Sequence, residues 1–146
     1  KTSQLDQAIL KHIERGLMIF GTCAGAILLA KQVQPIQASL GCMDITISRN
    51  DYGRQLESFS RQPDQTGCVW DHEELVFIRA PRIMYTSADV KVLLTCQGDA
   101  VLVEQGPFLA ATFHPELTQS TSIHGYFLQK IIAMDRYDGT VQTSCA

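Results

Sequence analysis

The sequence predicts an α/β domain, and three observations carry that reading. Short, continuously apolar runs suit strands buried on both faces, helical-period segments sit at both ends of the chain, and tight glycine turns join the two kinds of element. At 146 residues and 45% hydrophobic content, the chain is long enough for one domain with a core, spanning 1–146.

The elements follow in order. Thr2-Ser3-x-x-Asp6 is a capping signal, Leu5, Ile9 and Ile13 share one helical face, and Gly16 is a stop, so a first helix of about three turns is expected. Leu17–Phe20 reads as a buried strand and Ala24–Lys31 as a helix, with a sharp glycine turn between them. Residues 34–38, with Pro35, read as loop; Ile45–Ser48 alternates and reads as a strand, followed by turn chemistry at Asn50–Gly53. The stretch 60–74 looks like a surface loop. Strands are expected at 75–79, 90–95 and 100–104, the last two joined as a hairpin at Gln97-Gly98-Asp99. Phe108–Phe113 is a further strand ending at His114-Pro115, and Ile123, Phe127 and Ile131 predict a closing helix from Ser120. Hairpins would give the sheet antiparallel edges.

Composition excludes several classes of function. A formal charge of −3 with scattered Lys and Arg offers no basic face for nucleic acid, and the longest apolar runs are too short to span a bilayer. Five cysteines, Cys23, Cys42, Cys68, Cys96 and Cys145, include no C-x-x-C pair, so neither a disulfide scaffold nor a structural zinc site is expected. Free thiols fit a cytoplasmic location, and no metal or cofactor is called for.

Two constellations carry chemistry. Gly21-Thr22-Cys23-Ala24-Gly25 is a G-x-C-x-G elbow between strand and helix. Gly21 and Gly25 are expected to remove Cβ atoms that would collide, exposing the thiol on a strained turn. A helix N-terminus behind Cys23 would favour thiolate, and the Ala24 N–H would help bind an oxyanion. A buried packing cysteine is the plainer alternative. His114-Pro115-Glu116 is the second constellation; in extended chain, residues two apart point the same way, so Glu116 would orient His114. Taken without Cys23, the pair is an ordinary surface ion pair. His12, His72 and His124 lack an orienting acid and read as solvated or capping residues. Arg49 and Arg54 bracket the Asn50–Gly53 turn and Arg79 ends a strand, where an arginine can clamp a carboxylate in bidentate fashion; surface ion pairing is the default for each, and the sequence does not choose among them.

The elbow, Leu40-Gly41-x-Met43-Asp44-Ile45-Thr46, Arg49-Asn50-x-Tyr52-Gly53-Arg54-Gln55, Phe77-Ile78-Arg79-Ala80-Pro81 and Phe113-His114-Pro115-Glu116-Leu117-Thr118 together resemble the glutaminase subunits of pyridoxal 5'-phosphate synthase, within the class I glutamine amidotransferases. The likeness spans roughly residues 17 to 130. It implies a three-layer, flavodoxin-like fold and a Cys23-His114-Glu116 triad that hydrolyses L-glutamine. It implies further that Arg49, Ile78 and Arg79 contact the glutamine, and that ammonia passes to a barrel-shaped synthase subunit building vitamin B6. The family pattern also places a first strand, further βα units and a Gly-Gly-Glu-Ser turn upstream of the elbow. By that pattern the N-terminal third of the domain is expected to be absent here, its first strands included. The alternatives are an amidotransferase domain of another pathway and a non-catalytic module that binds the synthase.

Overall fold

The computed structural model describes residues 3–49 and 58–139. The Asn50–Gly53 turn, Arg54 and Cys145 lie outside the described residues. The chain runs α1 (Gln4–Ile13), β1 (Ile19–Thr22), α2 (Ala24–Leu29), β2 (Ala30–Gln34), β3 (Met43–Ser48), β4 (Ser58–Arg61), β5 (Leu75–Ile78), β6 (Arg82–Thr86), β7 (Lys91–Cys96), β8 (Asp99–Gln105) and β9 (Phe108–Ala111). A 3₁₀ turn (Pro115–Leu117) and α3 (Ser122–Gly139) close it.

A four-stranded sheet, ordered β1-β9-β8-β7, forms the centre. β1 lies parallel to β9, with Gly21 opposite Ala110 and Thr22 opposite Ala111, while β9, β8 and β7 are antiparallel. Side chains alternate across this sheet. Val103, Phe108 and Ala110 face one cluster with Ala26 and Leu29 of α2 and with the sheet β2-β3-β6. Leu102, Leu109 and Ala111 face another with Leu75 and Phe77 of β5, Trp70 and Ile123 of α3. The central sheet is thus the middle of three layers, the order expected for an α/β fold. Among the described residues no helix is long and apolar enough to cross a membrane.

α1 starts where the capping signal places it: Ser3 Oγ accepts from Asp6 N–H, and Asp6 accepts from Ser3 N–H. Other boundaries move, each for a visible reason. Leu17 is not in the strand, because its N–H still donates to His12 O beyond the Gly16 turn, and β1 runs from Ile19 through Thr22 in register with β9. The helix expected to reach Lys31 ends at Leu29, and Ala30–Gln34 forms β2 beside β3. Ala, Lys and Gln favour helix, but burial of Ala30 and Val33 and pairing with β3 override that preference. Ser58–Arg61, read in part as loop, pairs with β5 and stacks Phe59 on Phe77 at a centroid distance of 4.8 Å. β6 has no counterpart in the sequence reading. β9 stops at Ala111, two residues short of the expected end.

Candidate active site

Cys23 stands between the carboxyl end of β1 and the start of α2, with φ 47° and ψ −101°. Its N–H donates to Ala111 O, which extends the parallel ladder one residue past β1 and fixes the elbow to β9. The turn depends on Gly21. A Cβ there would fall 2.6 Å from the carbonyl carbon of Gly25 and 2.9 Å from Leu29 Cδ1, closer than packed atoms approach. Gly25 itself has open space where a Cβ would be, so the expectation that both glycines relieve a collision holds for Gly21 alone. Gly25 contributes the backbone on which Gly21 packs.

His114 sits beyond β9, the parallel neighbour of β1, so the two residues leave the central sheet at the same end. This is where α/β sheets place ligands. The expected extended geometry is replaced by a 3₁₀ turn: Leu117 N–H donates to His114 O and Thr118 N–H to Pro115 O. That turn folds Glu116 back, and His114 Nδ1 lies 2.7 Å from Glu116 Oε1. The pair forms, by a different backbone path from the one the spacing implied.

β5 gathers the two constellations. Its residues 76 and 78 present carbonyls to the same edge, opposite the one that pairs with β4. Val76 O accepts from His114 N–H at 2.8 Å, and Ile78 O accepts from Cys23 Sγ at 3.8 Å. Ile78 is exposed, and Arg79, next in the chain, is exposed with φ 45°. Two non-glycine residues with left-handed backbone therefore flank one carbonyl. Arg49 lies elsewhere, at the end of β3. Its N–H donates to Gln34 O and its guanidinium to Gln37 Oε1, and among the described residues neither partner belongs to the Cys23–His114 group.

Burial pushes the Cys23 thiol up from its ordinary value of 9.0, the Ala24 N–H pulls it down, and the Glu116 charge pushes it up again, for a net rise. The direction is opposite to the thiolate expected at the start of α2, a helix of only six residues. For Glu116, burial raises the carboxyl, but the hydrogen bond from His114, the backbone N–H and the charges of His114 and His124 outweigh it, so the group lies below its ordinary 4.5.

His124 is thus a charged neighbour of Glu116, where its sequence context implies only a solvated or capping role. Its ring packs edge-on to Phe20 of β1 at 5.7 Å. Only the seating of α3 over β1 brings it there, which no local pattern reports. Among the described residues no group of three or more His, Cys, Asp or Glu side chains is placed to hold a metal ion.

Residues 1–133 match the model of the SNO glutamine amidotransferase family. The chain is 46% identical over 132 residues to the pyridoxal 5'-phosphate synthase subunit PdxT of Thermotoga sp. (strain RQ2), covering 90% of this chain and 70% of that protein. It is 51% identical over 119 residues to the PdxT of Solibacter usitatus, 77% of this chain and 62% of that one. A crystal structure of a glutamine amidotransferase superposes with a TM-score of 0.76 at 42% identity, over 85% of this chain and 66% of the other.

Proposed function

The chain belongs to the SNO glutamine amidotransferase family, and from that membership and the geometry around Cys23 we propose that it is a glutaminase domain hydrolysing L-glutamine through Cys23, His114 and Glu116. The observation that carries the reading is the shared edge of β5, where Ile78 O meets the Cys23 thiol and Val76 O meets the His114 backbone.

The chemistry follows from the arrangement of the three side chains. His114, its Nδ1 engaged by Glu116, presents Nε2 as the base that takes the Cys23 proton. The thiolate attacks the side-chain carboxamide carbon of glutamine, and the Ala24 N–H stabilises the oxyanion. His114 returns its proton to the departing nitrogen, the C–N bond breaks, and ammonia leaves a glutamyl thioester on Cys23. His114 then removes a proton from water, whose oxygen attacks the thioester; glutamate departs and the thiol is restored. Glu116 stays ionised throughout and stabilises the imidazolium. Ile78 and Arg79, beside the thiol, are assigned to glutamine binding, the arginine toward the α-carboxylate. Arg49 is assigned there on the family resemblance alone.

The names of the relatives support an assembly role. Ammonia released here would pass to a pyridoxal 5'-phosphate synthase subunit, in the cytoplasm, where the thiols stay reduced. The test is ammonia release from glutamine with and without that synthase subunit. Release by the wild-type protein and its loss in Cys23→Ala is the expected outcome; a Cys23→Ala protein that still turns over glutamine sinks the assignment.

A further inference from the structure

Glu73 lies in the loop before β5, three residues upstream of the Val76 carbonyl that holds His114. Its Oε1 accepts hydrogen bonds from two hydroxyls on the far side of the His114 turn, Ser120 Oγ at 2.7 Å and Ser122 Oγ. Ser120 Oγ also accepts from Ser122 N–H, where α3 begins. Between these attachments runs a cleft of about 340 Å³, with Asp71, Glu73 and Glu74 on one wall and Thr118, Gln119 and Ser120 on the other. The Glu73 hydrogen bonds join the two walls beside this cleft.

The segment from His114 to Ser122 is thereby tied at both ends: at His114 to β5 through Val76 O, and at Ser120 and Ser122 to the loop leading into β5 through Glu73. His114 and Glu116 hang between the two ties. The second tie also seats the first turn of α3, whose buried Ile123 packs against the central sheet and whose His124 packs against Phe20. We propose that Glu73 is a positioning residue, clasping Ser120 and Ser122 so that the His114–Glu116 turn is held in register with Cys23. This rests on the glutaminase reading above.

A loosened clasp shifts the imidazole relative to the thiol without touching bound glutamine. Misplacement of a reacting group by about 1 Å costs on the order of 100-fold in rate. In the full-length protein, Glu73→Ala is expected to lower kcat about 10- to 100-fold with KM within about twofold of wild type. Glu73→Gln, which keeps an acceptor oxygen in place, is expected to recover most of the rate. Ser120→Ala is the milder second variant should Glu73→Ala fold poorly. The companion readout is the pH profile of Cys23 alkylation by iodoacetamide, mapped by peptide mass spectrometry; it moves in Glu73→Ala and is restored in Glu73→Gln. A wild type that is inactive on glutamine overturns the glutaminase reading and leaves the alkylation profile to decide the clasp. An active wild type whose Glu73→Ala variant loses thermal stability, with kcat and the alkylation profile unchanged, makes Glu73 merely structural and overturns the proposal.

Discussion

Among the described residues, two regions hold non-glycine residues in the left-handed backbone region, and they do so for opposite reasons. At the β7–β8 hairpin, Gln97 has φ 54° and Gly98 φ 82° because a two-residue turn matching the twist of its strands requires positive φ at both positions. The strain is local and well supported: Asp64 accepts the N–H groups of both residues at 2.8 Å. At the other region, Cys23 with φ 47° and Arg79 with φ 45° belong to different loops, and no hairpin geometry demands either conformation. They meet around Ile78 O, beside an ionised carboxylate and an imidazole. Strain at the hairpin closes a turn; strain at the elbow presents a nucleophile.

The same chemical change at each region separates the two most sharply. Glu116→Gln is expected to cut glutamine turnover by about 10²–10⁴-fold, because an amide does not stabilise the imidazolium as a carboxylate does. Asp64→Asn, at the hairpin, is expected to leave turnover within about twofold. Asp64 also carries a pH signature. The Gly98 N–H lowers its carboxyl from the ordinary 3.8, burial opposes, and the Gln97 N–H lowers it further. Its folded value is the lower one, so its contribution to stability is fully present above about pH 4 and is lost as pH falls through that depressed value. Asp64→Asn should flatten acid unfolding there, a difference visible in melting curves taken from pH 5 downward.

Glycine substitutions give the next effect. Gly21→Ala drives a Cβ into the Gly25 backbone and should destabilise the fold by about 3 kcal/mol, the upper end for overpacking. Gly25→Ala meets open space and should leave the melting temperature unchanged or slightly raised. Chemical denaturation of both variants checks the contrast; equal losses would mean that the elbow is not packed as described. The smallest effect belongs to the hairpin: Gln97→Asn places a residue that tolerates positive φ and should stabilise the protein by about 0.5–1 kcal/mol with activity intact.

Legibility in the sequence followed the kind of group involved. The elbow was readable because Gly21, Cys23 and Gly25 are residue types with a fixed spacing, and His114 and Glu116 because an imidazole and a carboxylate are rare and close in sequence. Yet the backbone path between them was misjudged, since Pro115 suits both an extended chain and the first position of a 3₁₀ turn. The carbonyls of Val76 and Ile78 gather the site but leave no mark in the sequence, because every residue carries one. β2 stayed hidden for the same long-range reason: Ala30-Lys31-Gln32 looks helical until β3 lies beside it. The α1 cap and the β7–β8 hairpin, whose signals are purely local, appear where the residues place them.

Covalent capture tests the central claim most directly. The full-length protein, mixed with glutamine, acid-quenched within a turnover and digested, is expected to carry a glutamyl group on the peptide containing Cys23, with Cys42, Cys68, Cys96 and Cys145 unmodified. Ammonia release accompanied by a glutamyl adduct on a different thiol, or a Cys23→Ala protein that forms the adduct at the wild-type rate, would contradict the account.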